Sequence, residues 1–361
     1  MAEPKGNPFL RKICSGYVGV PVCLLGLIGN VISFIAWKRI NKKRSDSSQS
    51  AGVLMMALAC IDSGLLVFFL LTESIPQLWP HVMHAAHFVT FHCYVGFPLF
   101  FFFIVASIWM VICVTYNRFI AVIFPYRALQ LNSLKTTSGL IVLTLFFSFA
   151  INFPHFFNFR PSFNGTKIEK TKYGSSEVAE RYDFWAHCMV LVLVPWVTIF
   201  ALNSAIIYKL LRKKNIGQVR KGEGKKEMQT TIILLVITIS FLVFLVWQCL
   251  TQCFWMLHYG RNDKDTWFNV DSAYGPARLG VVINSAINFV LYCLSGGFFR
   301  KELKKMFCHS TYVKFNNTST TRSSVISQRY SITKDSHISQ RSDMTSVNYG
   351  ATSPSESVKS V

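Results

Sequence analysis

Hydrophobic positions in this chain fall into long, nearly unbroken runs, without the alternation expected of half-buried elements. Seven such stretches run approximately over residues 16–37, 51–75, 90–117, 136–159, 184–208, 228–257 and 274–297. Each is long enough to cross about 30 Å of hydrocarbon as a helix of about 20 residues. The second to fourth are nearly continuous with their neighbours, so their limits are set only to within several residues. Seven spans place the two ends of the chain on opposite sides. After the last span, Phe299, Leu303, Met306 and Phe307 recur at helical spacing with basic residues between them. That pattern predicts an amphipathic helix lying on the inner leaflet. From His309 onward the chain is rich in Ser and Thr and poor in apolar residues, which predicts disorder. The expected architecture is an all-α membrane protein, a seven-transmembrane helix bundle with a short eighth helix. Its parts are a short extracellular N-terminus (1–15), the seven-helix domain (16–297), the amphipathic juxtamembrane helix (298–308) and a cytoplasmic tail (309–361).

Composition agrees. Residues of the AVILMFWYC set make up 51% of the chain and charged residues 15%, with a mean hydropathy of +0.35. A soluble protein carries about a quarter of its residues as charges, so a soluble enzyme, a disordered regulator and a secreted disulfide scaffold are all excluded. No catalytic constellation or transition-metal spacing appears, which argues against an enzyme of any kind. The net charge of +20 raises the question of nucleic acid, but where the charge falls answers it. Twenty-one Lys and Arg sit on one side of the predicted spans or just after the last one, eleven on the other. The richer side is expected to be cytoplasmic. The basic loops are therefore topology determinants, and no nucleic-acid partner is expected. The expected location is the plasma membrane, multi-pass, with the N-terminus outside and the C-terminus inside.

Residues 1–15 are polar, with two prolines and no cleavable-signal pattern, so the first span is expected to serve as insertion signal. So short an outer segment is expected to hold no folded ectodomain, and a ligand is expected to meet the bundle and its loops. The longest outer loop, about 160–183, carries the sequon Asn164-Gly165-Thr166, a candidate glycan site. Sequons at Asn316 and Asn317 lie in the tail and should stay unmodified. Cys308, closing the eighth helix, is either palmitoylated or a plain thiol.

Only two acids fall well inside the spans, Asp62 and Glu73, and a charge at that depth calls for a reason. Asn30, Ser107, Asn284, Ser285 and Asn288 are polar residues at depths comparable to Asp62. Converging carboxylate, hydroxyl and amide oxygens can hold a small hard cation with water. They can equally form a hydrogen-bonded network that only joins helices, and spacing alone favours the network.

The motifs in order resemble those of rhodopsin-like (class A) G-protein-coupled receptors over about residues 15–310. They are Gly29-Asn30, Leu58-Ala59-x-x-Asp62, Cys93, Asn117-Arg118-Phe119, Pro195 and Asn288-Phe289-x-x-Tyr292. The run from Asn284 to Cys293, followed by Phe299-Arg300, is most similar to invertebrate neuropeptide receptors of the FMRFamide-receptor type. The resemblance implies an extracellular ligand, a heterotrimeric G-protein partner, and a receptor kinase and arrestin acting on tail sites such as Thr318, Ser319, Thr320, Thr321, Ser323 and Ser324. It implies that Asp62, Ser107, Asn284, Ser285 and Asn288 form a sodium pocket, reversing the preference from spacing. No other cofactor is implied. It makes Arg118 the arginine that is freed on activation and Tyr292 the tyrosine that swings inward. Asn117 replaces the usual acid before that arginine, leaving Glu227 as the remaining acidic partner and implying raised basal activity. The long outer loop contains no cysteine to join Cys93. Trp247 stands where the sixth span usually has its kink proline, and the fourth span lacks its usual tryptophan. The chain reads as a divergent member.

Phe100 stands where amine receptors carry an aspartate, and Val282 where opsins carry the retinal lysine, so neither class is expected. Glu73 and Arg278, each about three turns outward of the midplane residues, should open on the outer vestibule. Either Glu73 meets a cationic group such as the arginine of an Arg-Phe-amide peptide, with Phe97, Phe100 and Phe101 as aromatic surface, or it pairs internally with Arg278. The function expected is a receptor for a short amidated neuropeptide. A chemosensory receptor for a small apolar molecule is the alternative. A transporter or channel is more remote, since neither internal repeats nor rows of midplane charge are present.

Overall fold

The structure, a computed structural model, describes residues 8–43, 46–215, 231–244, 246, 250, 251 and 264–307. The long helices follow the apolar runs: α1 (Phe9–Asn41), α2 (Gln49–Leu78), α3 (Ala86–Ile123), α4 (Leu134–Phe157), α5 (Glu177–Arg212), the shorter α6 (Thr231–Phe244) and α7 (Gly275–Ser295). All but α6 are long and apolar enough to cross a membrane. The sixth run continues beyond α6 into residues that lie largely outside the described set. Helix α8 follows over residues 297–307. Contacts group Met1–Leu303 as one unit and Lys304–Val361 as another; the packing below concerns the first. Glu227, Trp247, Cys308, the sequons at Asn316 and Asn317 and the tail clusters lie outside the described residues.

Helix ends fall where capping chemistry puts them rather than where hydropathy changes. Helix is already present at Pro8, the first described residue, ahead of the apolar run. Ser133 starts α4 by accepting a hydrogen bond from the Thr136 amide at 3.2 Å. Ser176 does the same for α5 with the Ala179 amide at 3.2 Å, and Glu177 and Glu180 in the first turn favour the positive helix start.

Helix α1 packs on α2 and α7, α2 on α3, α4 and α7, and α3 on α4 and α5. Small residues allow the closest approaches, as expected where lipid removes the hydrophobic drive between helices. A Cβ on Gly26 would lie 2.6 Å from the Cβ of Ala286, and one on Gly29 2.9 Å from that of Phe289. A Cβ on Gly280 would lie 2.6 Å from the Phe244 carbonyl, joining α7 to α6. The buried Thr238 hydroxyl on α6 donates to Asn203 Oδ1 of α5 at 2.9 Å.

At one end of the bundle four helices widen into π-helical turns, at Lys12–Val18, Leu70–Ser74, His92–Gly96 and Ala186–Leu193. Such turns leave backbone carbonyls in need of other donors, and Trp109 Nε1 donates to the Val190 carbonyl at 3.0 Å. An unbroken apolar run carries no phase that would have announced them. At the same end a hairpin joins α4 to α5. Its strands β1 (Phe159–Pro161) and β2 (Ile168–Lys170) run antiparallel, with Phe159 opposite Lys170 and Arg160 opposite Glu169. Arg160 and Glu169 approach to 3.8 Å. Gly165, at φ +68°, takes the left-handed conformation the turn requires, and Asn164 beside it is exposed.

Candidate functional site

Asp62 sits on the buried face of α2, 1% exposed. Ser107 Oγ of α3 donates to Asp62 Oδ1 at 2.5 Å, and Asn288 Nδ2 of α7 donates to Oδ2 at 2.7 Å. One carboxylate therefore joins three helices. Ser285, one turn before Asn288 and on the same face, lies beside that carboxylate. Its Oγ is buried and faces that carboxylate as a potential donor. Its carbonyl accepts from Asn30 Nδ2 at 3.1 Å, which brings in α1. Asn284 is buried in α7.

One turn beyond Asn288, Tyr292 is fully buried. Its hydroxyl donates to Met55 Sδ at 3.3 Å, and its ring meets Trp37 edge-on at 5.7 Å and Phe299 at 5.2 Å. It is thus held among α1, α2 and α8. Asn117 is buried, and its Nδ2 donates to Ser50 Oγ of α2 at 3.3 Å. Its carbonyl accepts from Asn132 Nδ2 at 3.1 Å, from the loop before α4. The amide that replaces the acid thereby fastens the end of α3 to two neighbours. Arg118 beside it is half-buried. An ion pair that hydropathy does not reveal lies at this end: Lys43 Nζ meets both carboxylate oxygens of Glu302 at 2.7 and 2.8 Å, tying the loop after α1 to α8.

At the opposite end, Glu73 lies in the π-helical turn of α2 with its side chain 11% exposed. Arg278 of α7 donates to one carboxylate oxygen and Arg11 of the N-terminal helix to the other, the latter at 3.3 Å. The internal Glu73–Arg278 pair is present, joined by Arg11. Phe100 and Phe101 are buried and Phe97 partly so. Phe97 packs on Phe101 at 4.9 Å, His155 at 5.4 Å and Phe159 of β1 at 4.8 Å, and Phe100 faces Phe69 at 6.0 Å. Cys93 is a buried free thiol, and the hairpin is seated on aromatic packing. Among the described residues no three His, Cys, Asp or Glu side chains gather as metal ligands.

Residues 29–292 match the family model of the 7 transmembrane receptor (rhodopsin family). The chain belongs to this receptor family. Membership of the family and, among the described residues, six helices long and apolar enough to cross a membrane make it a multi-pass membrane protein. Among relatives, it is 24% identical to the FMRFamide receptor of Drosophila melanogaster over 83% of its own length and 56% of that protein's. It is also 24% identical to the FMRFamide peptide receptor frpr-18 of Caenorhabditis elegans, over 82% of its own length and 70% of the relative's. A third relative, probable G-protein coupled receptor 142 of Mus musculus, is 23% identical over 56% of this chain. The chain thus spans little more than half the length of the fly receptor.

In the receptor's frame, Asp62 joins α2 to α3 and α7, Asn117 beside Arg118 joins α3 to α2, and Glu73 joins α2 to α7. Sequence reasoning identified Asp62, Ser107, Ser285 and Asn288, which meet directly or side by side. It missed Arg11, Trp37, Lys43 and Glu302.

Proposed function

We propose that this receptor binds a short amidated peptide outside the cell, at the Glu73 end, and activates a heterotrimeric G protein at the Arg118 end, inside. The observation that carries this reading is the Glu73 carboxylate, recessed in an apolar helix and bonded by guanidinium groups from two other segments. A site that takes the receptor's own arginines suits the arginine of an Arg-Phe-amide peptide. The names of the two invertebrate relatives support the same ligand class. The rings of Phe97, Phe100 and Phe101 are closed on one another and on His155, which suits an aromatic wall better than an open pocket for a small odorant.

Ligand contacts at Glu73 act through α2 and α7, the same helices that meet at Asp62, and shift the population toward a state in which Tyr292 leaves Trp37 and Phe299. The residues at Asp62 fit a sodium ion: Ser107, Ser285 and Asn288 converge on one buried carboxylate. Asn30 Oδ1, on the side chain that bonds the Ser285 carbonyl, is a buried oxygen without a donor among the described residues, an atom that calls for water or a cation. Asp62, Ser107, Asn284, Ser285 and Asn288 would hold it, and its charge would neutralise Asp62. Asn117 in place of an acid gives raised basal activity, which Glu227→Ala raises further. A glycan on Asn164, a palmitoyl group on Cys308, and kinase and arrestin action on the tail complete the reading.

The test uses cells expressing the receptor with a promiscuous G protein. Phe-Met-Arg-Phe-amide should elicit calcium release, and its free acid and an analogue with norleucine for arginine should be at least about tenfold weaker, the loss of roughly one charged hydrogen bond. Responses to apolar odorants but to none of these peptides would overturn it in favour of chemosensation.

A further inference from the structure

Glu73 carries one negative charge and is met by two guanidiniums, and the two are not held alike. Arg278 makes the shorter contact, and its side chain is 29% exposed. Arg11 stands at 3.3 Å, with its side chain 45% exposed. Once Arg278 has neutralised the carboxylate, Arg11 approaches a neutral pair and is repelled by the other arginine, so its net attraction is small. It also comes from the first turns of the N-terminal helix, next to a π-helical stretch that begins at Lys12. Of the three groups, Arg11 is the one built to leave.

Building on the peptide reading above, we propose that Arg11 is a tethered stand-in for the ligand: it occupies the guanidinium position at Glu73 in the unliganded receptor, and the ligand's arginine takes its place. The exchange replaces one guanidinium by another at the same carboxylate oxygen, so the charge of the site does not change. The ligand gains through contacts that Arg11 lacks, and the receptor avoids leaving Glu73 with an open acceptor. Arg11 thereby sets the threshold concentration for binding and disfavours cations too weakly held to displace it.

Arg11→Ala should raise the potency of Phe-Met-Arg-Phe-amide by about two- to fivefold, the range expected for losing one part-exposed ion pair as competitor. Arg11→Lys should fall between the variant and the wild type. In a Glu73→Gln background, Arg11→Ala should no longer change potency. A fall in potency on Arg11→Ala would overturn the proposal, because Arg11 would then contact the ligand, as it would for a ligand with an anionic group. An equal gain in the Glu73→Gln background would overturn it as well.

A second measurement needs no agonist and so separates this claim from the peptide reading. Chymotrypsin cleavage after Phe9 or Leu10 in the purified receptor reports release of the segment, with cleavage after the fully exposed Phe163 as internal reference. Glu73→Gln, or arginine amide added to the wild type, should accelerate the first relative to the second. Unchanged relative rates in both would refute the exchange, whether or not any peptide activates the receptor.

Discussion

Gly26→Ala isolates the close approach of α1 and α7. The added methyl would stand 2.6 Å from Ala286 Cβ, 2.8 Å from Leu66 Cδ1 and 2.9 Å from Ala286 Cα. Two of these atoms are fixed to the α7 backbone, so no rotamer change relieves the contact. Restoring ordinary carbon–carbon separation moves the helices apart by about 1 Å. Overpacking of this kind costs about 1–3 kcal/mol, and the better helix propensity of alanine returns just under 1 kcal/mol. The net loss is then up to about 2 kcal/mol, which lowers the folded-to-unfolded ratio by up to roughly 30-fold. The same separation strains the Asn30–Ser285 hydrogen bond of 3.1 Å one turn away. Thermal unfolding read with a thiol-reactive dye suits this receptor, because Cys23 and Cys93 are fully buried free thiols. Gly139→Ala on α4, where nothing lies within 4 Å of the new methyl, is the matched control and should melt at or above the wild type. If Gly26→Ala melts no lower than Gly139→Ala, the packing argument is wrong.

Three further outcomes are expected. Replacing sodium by N-methylglucamine should raise agonist affinity in the wild type and leave Asp62→Asn unchanged; a sodium response that survives in Asp62→Asn places the cation elsewhere. Glu302→Gln should lower the melting temperature by less than Gly26→Ala does, since Lys43 is 58% exposed and such pairs contribute about 1 kcal/mol or less. The double swap Lys43→Glu with Glu302→Lys should recover most of that loss, and failure to recover would mean that Glu302 acts through packing alone. Asn164→Gln should abolish the mass lost on glycosidase treatment; residual loss traced to Asn316 or Asn317 would reverse the orientation proposed for the chain.

The bundle was legible because lipid imposes a simple code. Apolar runs of spanning length leave helix as the ready answer, and α1 to α5 and α7 appear where those runs lie. Asp62 was legible for the complementary reason: a charge in such a run is costly enough that partners at the same depth, here Ser107 and Asn288, can be sought on other spans. What hydropathy cannot carry is rotational phase and exact helix ends. The π-helical turns and the capping of α5 at Ser176 depend on local backbone bonding. Arg11 came within reach of Glu73 only because helix extends below the apolar run. The pairing of Lys43 with Glu302 joins residues 259 positions apart, and both lie in polar stretches with many charges to choose from. For Phe97, Phe100 and Phe101 the sequence showed abundance but not direction, and the structure turns Phe97 and Phe101 onto His155.

The central claim is that occupancy at Glu73 alters the surface around Arg118. Nucleotide exchange on purified heterotrimeric G protein, catalysed by the receptor in lipid nanodiscs, measures it directly. Phe-Met-Arg-Phe-amide should accelerate exchange over the ligand-free receptor, and Tyr292→Ala should remove the acceleration while leaving peptide binding in place. Exchange no faster with the receptor than without it, on every heterotrimer class and with peptide present, would contradict the account.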